Sequence, residues 1–206
     1  MNKPWRMLIP EGLYLRLHAH LFPGDRDEHG AVVLAGLAET ERDVRLLARE
    51  LHLAQDGLDY VPGKRGYRML RSDFITGRVL KARDERMIYL AVHNHGGADR
   101  VAFSRDDLRS HERGYPALLD VTRGLPVGAL VLAENAIAGD VWLSARRRVA
   151  LAGATIVGHR RRPLAAGPRP SRPVCVDPRY DRQVRLFGDR GQDLLGGMSR
   201  SLLNFG

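Results

Sequence analysis

A short apolar segment that ends in two histidines places the strongest constraint on the fold of this chain. Residues 87–92 (MIYLAV) contain no charged or strongly polar side chain, and such a run predicts a buried strand. His93-Asn94-His95 stands at its end. Because residues two apart in a strand point to the same face, His93 and His95 are expected to project together, with Asn94 on the opposite face. Two neutral imidazoles on a rigid strand end provide half of a transition-metal site.

A helix predicted to begin at Ser104 offers this site a third ligand. Asp107 lies in the first turn, from which its carboxylate could reach the two imidazoles. Two nitrogens and one oxygen, with a fourth position left open, are a ligand set of catalytic zinc. Ser104-x-x-Asp107 is also the sequence of a capping box and, taken alone, favours that structural role. The two roles are compatible, because a cap also fixes the carboxylate. His111, four residues after Asp107, is an alternative ligand.

A hydrolase built on such a metal also needs a general base. Bound zinc lowers the pKa of water toward roughly 7, so that hydroxide is available at neutral pH. A nearby carboxylate can accept the proton and later pass it to a leaving amine. Glu28 is the candidate, because it opens an apolar strand that could lie beside the histidine-bearing strand; Glu39, Glu41 and Glu50 remain alternatives. The hydroxyl of Ser104 could stabilise the oxyanion of a tetrahedral intermediate.

Hydrophobic periodicity along residues 1–162 predicts a mixed α/β sandwich. Helices are predicted at residues 10–21, 72–85 and 104–113, the last one broken near Gly114-Tyr115-Pro116. Strands are predicted at residues 31–39 and 87–92, at residues 43–56, for which a helix is the alternative, twice within 127–143, and at 147–159. His18 and His20 repeat the His-x-His spacing in the first helix. Residues two apart on a helix are rotated by roughly 200° and face away from each other, so this pair is expected to be structural.

The end of the chain is predicted to be a linker and a short tail. Residues 163–178 are proline-rich, and residues 179–206 resume with a short helical piece. Cys175 is the one cysteine, so no intrachain disulfide can form, and the lone thiol fits a reducing cytosol. Without a nearby histidine, this thiol is expected to be inert. The sequence shows no bilayer-spanning apolar run and no signal-peptide core, which predicts a cytoplasmic protein without a membrane partner.

The charge suggests an anionic partner, but its distribution favours a solvated surface. The formal net charge is +9 and the pI is near 10.4, which places nucleic acid first among such partners. Only three of the basic residues are lysines, and the densest arginine clusters are residues 146–148 and 160–162. Metal nucleases named for the letters His-Asn-His distribute those residues along a ββα motif, whereas here they are consecutive. Nucleic-acid binding is therefore the less favoured alternative.

Glu28, His93-x-His95 and Ser104-x-x-Asp107 together resemble the signature of the JAMM (MPN-plus, Mov34/PAD-1, prokaryotic JAB) zinc metalloproteases. The resemblance covers about the first three-quarters of the chain. It implies an α/β, mixed-sheet, JAMM/MPN-like (cytidine-deaminase-like) sandwich. It also implies that His93, His95 and Asp107 bind zinc, that Glu28 is the general base, and that Ser104 supports the oxyanion.

The tail carries a second resemblance, which suggests a substrate class. Residues 179–188 (RYDRQVRLFG), with Gly191-Gln192 following, resemble the opening of ubiquitin-activating-like adenylating enzymes of the ThiF/MoeB type. In that family, the arginine that matches Arg182 reaches an ATP site in a partner subunit. Since the glycine-rich nucleotide loop does not follow before Gly206, a truncated start of an adenylating domain, the front of a longer fusion, is expected.

Together, the two resemblances imply a zinc-dependent isopeptidase or protease. It would process or remove a ubiquitin-like protein at its C-terminus, in a bacterial ubiquitin-like conjugation or sulfur-carrier pathway. Two positions depart from the JAMM pattern: Asn94 stands where that family usually has Ser or Thr, and Gly96 where it has Pro. All the chemical groups are retained. A catalytically inactive scaffold of the same family is the alternative.

Overall fold

Apolar strands make up most of the fold. The structure, a computed structural model, describes residues 3–62 and 68–167. In chain order, the strands are β1 (Trp5–Pro10), β2 (Gly30–Glu39), β3 (Val44–Leu53), β4 (Ile88–Asn94), β5 (Val127–Leu132), β6 (Ile137–Ser144), β7 (Arg147–Val157) and β8 (Arg161–Leu164). The helices are α1 (Glu11–Leu21), α2 (Ser72–Asp84) and α3 (Arg105–Val121).

The sheet closes on itself, which corrects the fold class expected from the sequence. Hydrogen-bonded neighbours follow the order β1-β3-β2-β4-β5-β6-β7, and β7 also pairs with β1. Seven strands therefore form a closed mixed barrel, and β8 pairs with β7. The pairs β1–β3, β1–β7 and β4–β5 are parallel. The prediction of an α/β, JAMM/MPN-like (cytidine-deaminase-like) sandwich is wrong, because the fold is a β-rich barrel with three short helices.

The strand that closes the barrel has a weak sequence signal. β1 is six residues long, and its buried side chains are Met7 and Ile9. It lies between β3 and β7 and runs parallel to both. Two alternating apolar residues near the N-terminus do not distinguish a strand from a loop. The order of the remaining elements favours a mixed α/β sandwich, because it contains no strand that joins β3 to β7.

The predicted boundary after residue 162 lies inside a strand. β8 (Arg161–Leu164) pairs with β7 from Val157↔Arg161 to Ala154↔Leu164. Pro163 is compatible with this place, because β8 is an outer strand on which a missing N–H is tolerated. The remainder of the predicted linker beyond residue 167, Cys175 and the tail at 179–206 lie outside the described residues.

Two apolar clusters lie on opposite faces of the barrel wall. All seven barrel strands contribute to the first cluster, which is therefore the barrel interior, and α1 adds Leu17 and Leu21 to it. The second cluster, called here the outer cluster, joins β2, β4, β5 and β6 to α2 and α3. β2 and β4 are covered on both faces for this reason, and their apolar residues do not alternate with polar ones.

α3 is longer than the sequence predicts. The expected break near Gly114-Tyr115-Pro116 is absent, and the helix continues to Val121. Proline inside a helix removes one hydrogen bond, but Tyr115 and Leu119 on either side of it are buried in the outer cluster. Their burial keeps the second half of α3 on the barrel. Within the described ranges, no helix has both the length and the apolarity needed to cross a membrane.

Candidate metal centre

β4 presents His93 and His95 on the outer side of the barrel wall. Side chains alternate along β4, with Val92 in the barrel interior and Tyr89 in the outer cluster. His93 therefore points outward, and His95, just beyond the strand, does the same while its N–H donates to the backbone of β5. The Nε2 atoms of the two rings are 3.2 Å apart. The imidazoles share one face, as their spacing on a strand predicts.

The first turn of α3 places Asp107 against these rings. Asp107 Oδ2 accepts hydrogen bonds from the Ser104 N–H at 2.7 Å and from the Ser104 hydroxyl at 2.8 Å. The Asp107 N–H in turn donates to Ser104 Oγ at 3.1 Å. These contacts form the predicted capping box. The capping box thus orients the carboxylate as well as capping the start of α3.

The three side chains offer ligand atoms that lie within 4.8 Å of one another. His93 Nε2 lies 3.5 Å from Asp107 Oδ1, and His95 Nε2 lies 3.3 Å from Asp107 Oδ2. Ligand atoms about 2.0–2.2 Å from a tetrahedral zinc lie about 3.3–3.5 Å from one another. His93, His95 and Asp107 therefore form a group that could bind a metal ion. His111, the alternative ligand, is not part of this group.

The electrostatics of the group favour a cation. Burial opposes ionisation of Asp107, but hydrogen bonds with His93, His95 and Ser104 outweigh it and hold the pKa of Asp107 far below its usual range. The hydrogen bond to Asp107 raises the pKa of His95, although burial works in the other direction. His95 Nδ1 donates to the Ala102 carbonyl oxygen at 3.1 Å. A neutral His95 therefore keeps its lone pair on Nε2, the atom that faces the other ligands.

Glu28 lies beside His95 because β2 runs antiparallel to β4. The pairing puts Gly30 opposite His93, so that Glu28, two residues earlier, comes opposite His95. Its Oε1 is 3.8 Å from His95 Nε2. Burial raises the pKa of the Glu28 carboxyl above its usual value. A raised pKa suits a group that must take up a proton and release it again.

The other glutamates considered from the sequence lie elsewhere. Glu39 and Glu50 each pair with a lysine, at 2.6 Å and 3.4 Å. Glu41 is exposed between β2 and β3. The pairing of β2 with β4 brings Glu28 to the metal-binding group. The order of residues along the chain does not reveal this pairing.

Ser104 uses its hydroxyl hydrogen within the capping box. The hydroxyl donates to Asp107 Oδ2 and accepts from the Asp107 N–H. Since a serine has one hydroxyl hydrogen, it cannot donate to a substrate oxygen at the same time. Ser104 positions a ligand in this structure, and its role at an oxyanion stays a prediction.

Asn94 has a structural role that the spacing of the histidines did not reveal. Its Oδ1 accepts a hydrogen bond of 2.6 Å from the buried N–H of His29. The next N–H, that of Gly30, donates to the Tyr60 hydroxyl at 2.8 Å. These two bonds hold the residues that directly follow Glu28. The available sequence signal was a polar side chain on the inward face of a buried strand, which requires a partner.

A cavity of about 300 Å³ adjoins the metal-binding group. Glu28, His93 and Asp107 line one part of it, and residues 29–30, residues 68–70 and residues of α2, α3 and β4 line the rest. Leu70 and Leu118 are among its apolar side chains. The same cavity is therefore lined by metal-binding side chains and by apolar side chains.

His111 is a buried polar residue in the wall of this cavity. Its Nδ1 has no hydrogen-bond partner among the described residues and lies 3.9 Å from Asp140 Oδ2. Burial lowers the pKa of His111 to about 4, so the ring is neutral at pH 7. Burial also raises the pKa of Asp140 to about 6, although Arg148, 3.5 Å away, opposes this.

Comparisons with known proteins add little to this geometry. No protein-family model matches the sequence, and no curated protein matches it. Among solved structures, the chain is similar to the solution structure of protein DSY2949 from Desulfitobacterium hafniense. The sequence identity is 12%, the match covers 70% of this chain and 88% of that chain, and the TM-score is 0.43. A likeness this distant carries no argument, so the case for a function rests on the site.

Proposed function

We propose that this protein is a zinc-dependent hydrolase of the JAMM type that cleaves a peptide or isopeptide bond at the C-terminus of a ubiquitin-like protein. The observation that carries the proposal is the convergence of His93, His95 and Asp107, with the Glu28 carboxylate 3.8 Å from His95 Nε2. These side chains come from three separate segments of the chain. The sequence motif assigns each of them to the same centre.

Zinc is the ion that the donor set favours. Two imidazole nitrogens and one carboxylate oxygen suit a four-coordinate zinc, whereas calcium takes six to eight oxygen ligands and magnesium a near-octahedral oxygen set. When bound there, zinc would lower the pKa of a water molecule and polarise the carbonyl of the bond to be cleaved.

The residues of the chain would supply proton transfer and positioning. Glu28 would accept a proton from water at its carboxylate and pass it to the leaving amine nitrogen. The carbonyl carbon then gains a hydroxyl group as the C–N bond breaks, so that one acid and one amine are released. The raised pKa of Glu28 supports this role. Asn94 would act through Glu28 by holding the backbone of His29.

The substrate class is proposed from the tail. Residues 179–188 resemble the opening of ThiF/MoeB-type adenylating enzymes, which activate the C-termini of ubiquitin-like proteins. A hydrolase joined to such a domain would process the carrier or remove it from its targets, in a bacterial conjugation or sulfur-carrier pathway. We place this activity in the cytoplasm, because a single cysteine suits a reducing compartment.

Two other functions have less support. A catalytically inactive scaffold would not need a complete ligand set with a carboxylate beside it. Nucleic-acid binding rests on the net charge of +9 alone, and the metal-binding group has no part in it.

Metal analysis combined with a cleavage assay tests the proposal. The full chain, loaded with zinc, is incubated with C-terminal fusions of ubiquitin-like proteins encoded in the same genome. We expect one zinc per chain and cleavage after the last residue of the ubiquitin-like protein. Glu28→Gln should keep the zinc and lose cleavage by about 10²-fold or more, while the matched control Glu41→Gln should keep both. Normal cleavage by the zinc-bound Glu28→Gln variant would contradict the assignment of the base.

A further inference from the structure

Glu28 lies just outside the sheet, so strand pairing does not hold its backbone. β2 begins at Gly30, and its pairing with β4 begins at Gly30↔His93. Glu28 and His29 belong to the segment that connects α1 to β2. Connecting segments are more mobile than the strands and helices that they join. A carboxylate that must stay beside the metal-binding group therefore needs support from other residues.

Tyr60 supplies part of this support through its hydroxyl. The hydroxyl accepts a hydrogen bond of 2.8 Å from the buried N–H of Gly30. Tyr60 is itself 8% exposed, and its backbone forms an isolated bridge with Leu70. Both ends of this tyrosine are therefore fixed, and the hydroxyl can hold the start of β2 in place.

Arg68 supplies a second part through the side chain of His29. Arg68 Nη1 donates to His29 Nδ1 at 3.4 Å, and the ring must accept with this atom because an arginine has no acceptor. The proton of the neutral ring therefore lies on His29 Nε2, which donates to Asp25 Oδ1 at 2.9 Å. His29 is 5% exposed. The residue that directly follows Glu28 is thus held on both sides of its ring.

Tyr60 and Arg68 also hold each other. The guanidinium carbon of Arg68 lies 3.7 Å from the centroid of the Tyr60 ring, which is the geometry of a cation–π contact. The other terminal nitrogen of Arg68 pairs with Asp56. The Tyr60–Arg68 pair therefore acts as one unit that contacts the two residues after Glu28.

We propose that Tyr60 and Arg68 are positioning residues for Glu28. By holding His29 and Gly30, they keep the Glu28 carboxylate beside the metal-binding group. The inference rests on the proposed function, since it concerns the residue that acts there as the general base. A misplacement of about 1 Å can cost about 10²-fold in rate. Loss of either contact should therefore lower kcat and leave zinc binding unchanged.

Two substitutions that keep the size of the side chains test the inference. Tyr60→Phe removes the hydroxyl, and Arg68→Met removes the donors while keeping an unbranched stem over the ring. The zinc-loaded full chains are compared in the cleavage assay, with kcat expressed per bound zinc so that unfolded chains do not count. Each substitution should lower kcat about 10-fold or more, with KM and zinc affinity unchanged. A purely structural role would lower the amount of folded, zinc-bound chain and not kcat per bound zinc.

A second tyrosine–arginine pair provides the matched control. Arg162 in β8 lies 4.8 Å from the centroid of the Tyr14 ring in α1. Tyr14→Phe and Arg162→Met should therefore keep the native kcat. Unchanged kcat in both Tyr60→Phe and Arg68→Met would overturn the inference and leave the proposed function standing. An equal loss of kcat in the two control variants would also overturn it.

Crystal structures of the metal-free chain test the positioning without the reaction. The distance from Glu28 Oε1 to His95 Nε2 is 3.8 Å in the native chain. In Tyr60→Phe, crystallised in EDTA, it should lengthen by roughly 1 Å or more. This result would support the inference even if the native chain cleaves no ubiquitin-like fusion and the proposed function fails. An unchanged position of the Glu28 carboxylate in the variant would overturn the inference.

Discussion

Zinc is expected to stabilise the fold through His93 and His95 at the end of β4 and not through the histidines of α1. A ligand that binds only the folded state at 1,000 times its Kd adds about 4.1 kcal/mol to the free energy of unfolding. For a chain of this size, each kcal/mol shifts Tm by about 2–4 °C. Zinc at that concentration should therefore raise Tm by roughly 8–16 °C, as measured by calorimetry in zinc and in EDTA.

Two histidine pairs with the same sequence spacing make a matched comparison. His93 and His95 bring their Nε2 atoms within 3.2 Å, so His93→Ala or His95→Ala should abolish the rise in Tm. His18 lies in α1 and its Nε2 donates to the Glu134 carbonyl oxygen at 3.0 Å. His18→Ala should therefore lose that hydrogen bond and the ring contacts with Tyr14 and Phe22, and should keep the full effect of zinc.

Ser104→Ala separates the capping box from the metal ligand. Loss of the N-cap should lower the free energy of unfolding by about 1 kcal/mol in EDTA, and by more in zinc, because Ser104 also orients the Asp107 ligand. The reasoning would be refuted by a rise in Tm on zinc addition that is equal in the native chain, His93→Ala and His95→Ala. Zinc would then bind elsewhere.

Three further predictions concern neighbouring groups. Asp107 raises the pKa of His95, so protons should begin to compete with zinc at a pH above the usual pKa of histidine. Calorimetry should therefore show that zinc affinity falls as the pH decreases. Burial raises the pKa of Asp140 from 3.8 to about 6, so the folded state loses stability as pH rises through that range. The free energy of unfolding of Asp140→Asn, relative to that of the native chain, should therefore rise by up to about 3 kcal/mol between pH 4 and pH 8. A difference in urea unfolding that does not change with pH would contradict this. Asn94→Leu leaves the buried N–H of His29 unpaired and should cost about 1–3 kcal/mol in urea unfolding in EDTA; a loss below 0.5 kcal/mol would be evidence against the contact.

The two halves of the metal-binding group could be predicted from the sequence because each depends on local geometry, whereas their meeting is a contact between elements. Alternation along a strand determines that His93 and His95 share a face, whatever the rest of the fold. The capping box joins Ser104 and Asp107 across three residues. The choice of Glu28 did not follow from spacing, because the Gly30↔His93 pairing is a contact between distant segments.

Tertiary structure alone decided the shape of the sheet and the surroundings of the site. Periodicity identifies helices and strands, but the closing strand β1 contains only six residues, and its partners lie about 40 and 145 positions away in the chain. The continuation of α3 past Pro116, the bond from His29 to Asn94 and the cavity beside His111 likewise depend on packing between elements. Hydrogen bonds and side-chain directions within one element are set by neighbouring residues, whereas contacts between elements form only when the whole core assembles. The sequence by itself therefore determined which side chains could bind a metal, and the closed barrel decided what lies around them.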